Sequence, residues 1–180
     1  MTGARIGEVL ALRVKDVDLL RREIRIERTW DKNTRVFGTP KTHGSIRRVD
    51  LLPSLAEVLV DFFSLTGASD PDGLLFPSPK DSERPLDYVS VLGVFQKALE
   101  AVGLPHVTPH SLRHSWTSTM LSAGAPIATI ARNLGHSSPA ITWRVYCHEV
   151  KEGLGDALHQ ADSLFRAAGQ PNVVSLAERR

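Results

Sequence analysis

The sequence predicts a single, mainly α domain with a small antiparallel β-sheet near its N-terminus, an α+β fold. Three observations carry this. The chain has 180 residues and 42% apolar content, which suits one domain with a real core. Two alternating segments flank a turn-rich stretch early in the chain. From Thr108 onward, helical segments bounded by Pro and Gly follow one another.

"GARIGEVLALRVKDV" places Ile6, Val9 and Leu10 at helical spacing, with Leu12 beyond them, and predicts an opening helix. In "EIRIERTW", Ile24, Ile26 and Arg28 point one way and Arg25, Glu27 and Thr29 the other, as in a strand. "DKNTRVFGTPKTHGS" is turn material, and "IRRVDLL" returns as a strand. "PSLAEVLVDFFSLTG" has Pro53 near its start and Gly67 after its end, the usual helical asymmetry. The Pro-, Asp- and Ser-dense run up to Asp87 predicts a long loop. Asp87 then caps a helix that Gly103 stops. Further helices are expected in "SLRHSWTSTMLSAG", "PIATIARNLG", "PAITWRVYCHEV" and "EGLGDALHQADSLFRAAG". Residues 169–180 read as a loose tail. No internal repeat or low-complexity tract breaks the chain.

Composition excludes several classes. No run of about 18 apolar residues offers a membrane span. The N-terminus shows no signal-peptide pattern. Cys147 is the only cysteine, so no intrachain disulfide can form and a cytoplasmic setting is expected. Cys147 itself reads as packing. Net charge is +2 with a pI near 8.9, compatible with an anionic partner but weak evidence for one. The basic residues are crowded locally: Arg21, Arg22, Arg25, Arg28, Lys32 and Arg35, then Lys41, Arg47 and Arg48. They form either a solvated face or an anion contact.

"PHSLRHSW" holds the densest chemistry. Three readings stand: a metal pair, a phosphate clamp, or polar residues on a helix end. His110 and His114, spaced i, i+4, share a helix face that zinc would accept. The Glu of H-E-x-x-H is absent, however, and Arg113 would repel a cation. His110 and Arg113, spaced i, i+3 near a helix start, suit a phosphate, because terminal N–H groups favour an anion and Arg contacts phosphate through a fixed fork. Downstream, His136 follows a helix-ending Gly135, and Tyr146 lies in an otherwise apolar helix, a usual place for a core tyrosine. The stretch "IATIARNLGHSSPAITWRVY" also has the rhythm of a helix-turn-helix. Its recognition slot, Pro139 to Thr142, is poor in base-reading side chains.

Four separated segments together resemble the catalytic domain of tyrosine recombinases, the phage-type integrases. "TGARIGEVLAL" is similar to the family's first arginine motif, with Arg5 in its arginine slot. "PKTHGSIRRVDL" resembles the β-hairpin lysine motif, with Lys41 in the lysine slot. "HSLRH" resembles H-x-x-R and supplies His110 and Arg113. "LGHSS" supplies His136, and the tyrosine slot falls on Tyr146. Order and spacing agree from residue 2 to about 150.

The resemblance implies double-stranded DNA as partner and a reaction that needs neither metal nor other cofactor. Tyr146 would attack a phosphodiester to form a 3′-phosphotyrosyl link. Arg5 and Arg113 would clamp the transition-state charge, with His136 donating a further hydrogen bond. Lys41 would protonate the leaving 5′-oxygen, and His110 would assist proton removal. Glu8 and His114 would support these residues from behind. Full-length members act as homo-tetramers on paired sites.

Residues 1–168 are therefore expected to form a catalytic domain lacking its first helices, without the family's N-terminal core-binding domain. Arg5 is then expected to be poorly supported, Val9 and Leu10 to lack apolar partners, and the isolated chain to be impaired. The alternatives are a non-catalytic DNA-binding or interaction fragment that keeps the fold, and a helix-turn-helix regulator reading bases through Thr142 and Arg144.

Overall fold

The computed structural model describes residues 2–39 and 46–150, the last five by their backbone alone. Lys41 and the segment after Val150 lie outside the described residues.

The opening helix α1 covers only Ile6–Leu10, shorter than the spacing predicts. The run Val9, Leu10, Ala11, Leu12 is continuously apolar, and such a run fits a buried extended segment as well as a helix. Past Ala11 the chain leaves the helix. The Leu12 carbonyl accepts from the Leu75 N–H at 2.8 Å, and the Val14 N–H donates to the Gly73 carbonyl at 3.0 Å. One 3₁₀ turn, Val14–Asp16, then leads into β1, Val17–Asp18.

The main sheet is antiparallel, in the order β1, β2 (Glu23–Ile26), β5 (Arg47–Asp50). Ile24 pairs with Val49 and Ile26 with Arg47. Ile24, Ile26 and Val49 turn inward with Leu12, Leu51, Leu59 and Leu75 to form the core. The expected strand "EIRIERTW" is broken at Glu27 and Arg28. Its second half, Thr29–Asp31 (β3), pairs with Val36–Gly38 (β4) in a separate hairpin. That hairpin replaces part of the expected turn, and its Trp30 and Phe37 rings sit 4.7 Å apart across the strands. A second two-stranded ribbon, β6 (Pro77–Ser78) with β7 (Asp81–Pro85), occupies the expected long loop. Asp81 to Arg84 are exposed, so this ribbon carries no alternating apolar signal.

The helices fall where Pro, Asp and Gly place them. Helix α2, Pro53–Thr66, ends at Gly67 in the left-handed conformation (φ 65°). Helix α3, Tyr88–Ala101, is capped by Asp87, whose carboxylate accepts from the Ser90 N–H at 3.1 Å. Helix α4, Pro109–Ser122, is capped by Thr108 accepting from the Ser111 N–H at 3.1 Å. Helices α5 (Ile127–Leu134) and α6 (Pro139–Val150) pack on each other and on α4. Leu10 is buried, against the expectation that it lacks partners, whereas Val9 lines an apolar cavity of 260 Å³ that opens on the main core. Among the described residues no helix is long and apolar enough to cross a membrane.

Candidate active site

Three segments far apart in sequence meet at one cleft. The start of α1, the β3–β4 hairpin and the first turn of α4 line a space of 440 Å³, with Arg5, His110 and Arg113 on its wall. Lys32, at the hairpin tip, lies on the same wall with its ammonium 4.0 Å from the Tyr88 ring centroid.

Arg113 is the buried centre of the site, only 6% exposed. Its Nη1 donates to the Gly3 carbonyl at 2.6 Å, across 110 residues of sequence. Its Nη2 donates to the Leu134 carbonyl at 2.6 Å and lies 3.2 Å from His136 Nε2. Gly3 can present its carbonyl here because its φ is +67° and a Cβ would fall 2.6 Å from Trp116. A larger residue would have to move the indole.

The imidazole of His136 is held on both sides. A guanidinium only donates hydrogen bonds. Nε2 is therefore the acceptor facing Arg113, and the ring proton sits on Nδ1, which donates to Thr142 Oγ1 at 2.7 Å. Burial first, then the charges of Arg113, Arg5 and Arg47, push the His136 pKa down to about 4. In this arrangement Nε2 is an acceptor, whereas the sequence reading has His136 as a donor. His110 is exposed, and its ring meets that of His114 edge to face at 4.7 Å between centroids. Its pKa is lowered by partial desolvation against the neighbouring side chains first, then by the charges of His114, Arg113 and Arg5. Among the described residues, no third His, Cys, Asp or Glu joins this pair to make a metal cluster.

Arg5 is better supported than its place in the sequence suggests. Glu8 Oε2 accepts the Arg5 backbone N–H at 2.7 Å, and Oε1 accepts its Nη1 at 3.2 Å. Glu8 is itself fixed by Arg47, whose Nη1 and Nη2 reach the two carboxylate oxygens at 3.0 and 2.8 Å. Both side chains of this pair are 3% exposed. The Arg47 Nε donates to the Asn133 carbonyl at 2.6 Å, which ties the sheet to α5. Gly135 makes room for this arginine: its φ is +66°, and a Cβ there would meet Arg47 Nη1 at 2.8 Å.

Sequence reasoning placed Arg47 in a basic stretch and missed its role. The signal was present, because Arg47 alternates with Val49 in "RRVD" and so belongs to the inward face of its strand. An arginine there requires a buried partner. Others of the basic stretch are paired too: Arg25 with Glu27 and Arg48 with Glu23 toward the surface, and Arg28 with the buried Asp16.

Thr142, one of the two base readers of the helix-turn-helix alternative, is 0% exposed, whereas the other, Arg144, is exposed. Thr142 lies against His136 and cannot reach a groove, which removes one of the two side chains that alternative needs. Tyr146 stands one turn further along α6, where the backbone alone is described.

Comparison with known proteins accords with this geometry. The pattern of the phage integrase family matches residues 1–152. A tyrosine recombinase XerC-like protein of Caldanaerobacter subterraneus is 28% identical over 186 residues, covering 91% of this chain and 47% of that protein. The crystal structure of XerA recombinase superposes with a TM-score of 0.67 at 27% identity, covering 89% of this chain and 52% of the other. A structure of XerH site-specific recombinase gives a TM-score of 0.60 at 25% identity, covering 87% and 42%. The chain thus spans about half the length of the relatives it matches. With the family pattern matched over most of its length, this chain belongs to the phage integrase family.

Proposed function

We propose that this chain is the catalytic domain of a site-specific DNA recombinase that breaks and rejoins double-stranded DNA through a 3′-phosphotyrosyl intermediate. One observation carries the reading: the buried Arg113 guanidinium, fixed by two backbone carbonyls beside His136, borders the same cleft as Arg5 and His110. Fixed cations and a histidine around a cleft suit a phosphodiester whose non-bridging oxygens gain charge in the transition state. The XerH structure is of that recombinase bound to a palindromic difH substrate, in a post-cleavage complex, which supports DNA as the partner here.

In this mechanism the Tyr146 hydroxyl attacks the phosphorus, and its proton passes to His110. The bond from phosphorus to the 5′-oxygen breaks, and Lys41 supplies the proton that oxygen takes up. Arg5 and Arg113 hold the non-bridging oxygens. His136 takes a proton from solvent on Nε2 as the phosphate binds, Arg113 Nη2 turning its N–H from the ring to the phosphate, and then donates to a non-bridging oxygen while its Nδ1–H remains on Thr142. A second 5′-hydroxyl then attacks the phosphotyrosine and releases Tyr146. Glu8 keeps Arg5 in place, and His114 flanks His110. Homo-tetramers on paired sites complete the proposal.

DNA affinity as a function of salt tests the phosphate contact. Each lost contact should lower the slope of log K against log salt by about 1, and Arg5→Ala should do so. Affinity and slope unchanged in Arg5→Ala and Arg113→Ala would instead make the chain a fragment that keeps the fold without using the site.

A further inference from the structure

Thr142 neither gives nor takes a proton in the proposed mechanism, yet its side chain is fully buried and holds the ring of His136. We propose that Thr142 is a positioning residue that keeps the proton of His136 on Nδ1, so that Nε2 is the nitrogen that exchanges protons and faces the phosphate.

Nε2 lies 3.2 Å from an Arg113 nitrogen that can only donate. Were the proton on Nε2, two N–H groups would oppose each other across 3.2 Å, and the Thr142 hydroxyl would have to turn and donate to Nδ1. With the proton on Nδ1, both contacts are satisfied, and Thr142 Oγ1 is the acceptor at 2.7 Å. That bond persists when the ring becomes doubly protonated, because Nδ1–H is common to both forms. The added proton can go only to Nε2, the side of Arg113. Thr142 belongs to α6, and Tyr146 follows it on that helix by one turn. The same bond therefore fixes the α5–α6 turn, which carries His136, to the helix that carries the tyrosine. The part of this inference that concerns phosphate rests on the recombinase reading; the part that concerns the ring does not.

Nitrogen-15 NMR of the histidine-labelled chain reads the tautomer directly, with His136→Asn used to assign the ring signals. In the wild-type chain Nδ1 should show the shift of a protonated nitrogen and Nε2 that of an unprotonated one. Thr142→Val, similar in volume but without the hydroxyl, should move both shifts toward a mixture, and Thr142→Ser should restore them. In parallel, formation of a covalent adduct on nicked DNA should slow by about two- to tenfold in Thr142→Val, the size of one lost hydrogen bond, and recover in Thr142→Ser. A wild-type proton on Nε2, or a folded Thr142→Val with the wild-type ring shifts, overturns the proposal. If Thr142→Val does not fold, the wild-type and Thr142→Ser spectra decide. Expected ring shifts with no adduct in any variant would sink the recombinase reading while supporting the role of Thr142 in the ring.

Discussion

Neutralising Glu8 should destabilise the protein out of proportion to the few atoms changed. The Glu8 carboxylate accepts two hydrogen bonds from Arg47, at 3.0 and 2.8 Å, and two from Arg5, at 2.7 and 3.2 Å. Glu8→Gln removes the charge and sets an NH₂ group against donors. The amide oxygen can still accept one hydrogen bond, but the buried Arg47 cation loses its counter-charge. Removing one partner of a buried pair costs about 3–5 kcal/mol. At about 2–4 °C per kcal/mol for a domain of this size, Tm should fall by about 6–20 °C. Urea denaturation followed by circular dichroism at pH 7 measures the loss. Arg47→Met should cost a similar amount, and the double variant should cost clearly less than the sum of the two.

The pH dependence of that loss has a fixed sign. Burial raises the Glu8 pKa, but the hydrogen bond and charge of Arg47, with the N–H and charge of Arg5, outweigh it and hold it below the usual carboxylate range. A carboxylate depressed on folding stabilises fully above its unfolded pKa of about 4.3, and the effect disappears as pH falls through the folded value. The deficit of Glu8→Gln should therefore shrink below about pH 4.3. A deficit under about 1 kcal/mol at pH 7, additive single variants, or a deficit that grows on acidification would refute this account of the site's support.

Two further predictions follow from the same neighbourhood. The His136 ring should titrate near 4 by NMR rather than at its ordinary value of 6.5. Because the unfolded chain takes up that proton first, His136 should lower stability as pH falls from 6.5 to about 4. A His136 titration near 6.5 would contradict the burial described for it. Gly135→Ala should cost more than about 1 kcal/mol, since it combines left-handed backbone strain with a Cβ 2.8 Å from Arg47 Nη1. Gly135→Asn should fail too, although Asn tolerates that backbone, because the contact with Arg47 remains. A mild Asn variant would remove the contact from the explanation.

Much of the fold was legible because its signals are local. Pro53 with Gly67, and Asp87 with Ser90, mark helix ends through backbone hydrogen bonding that depends on a few neighbouring residues. Part of β3 was read as the continuation of β2; its partner β4 and the β6–β7 ribbon were not legible, since two to five residues with mostly exposed or turn-forming side chains carry no periodicity. The length of α1 is decided by Leu75, which pairs with the Leu12 backbone across more than sixty residues. The site divides in the same way. His110 and Arg113 stand out in one short stretch, and Arg5 is found through motif order. Arg47 and Thr142 are ordinary residues until their partners, Glu8 and His136, are placed beside them.

The central claim, that this cleft serves Tyr146 in attacking a DNA phosphodiester, has one direct measurement. The chain is incubated with a nicked duplex that traps the cleaved strand, and the products are digested and mapped by mass spectrometry. The account predicts a nucleotide 3′-phosphate attached to the peptide containing Tyr146. It also predicts loss of that adduct in Tyr146→Phe and strong reduction in Arg113→Lys. An adduct that persists in Tyr146→Phe, one that maps to another residue, or none in the wild-type chain under conditions where it binds the duplex, would contradict it.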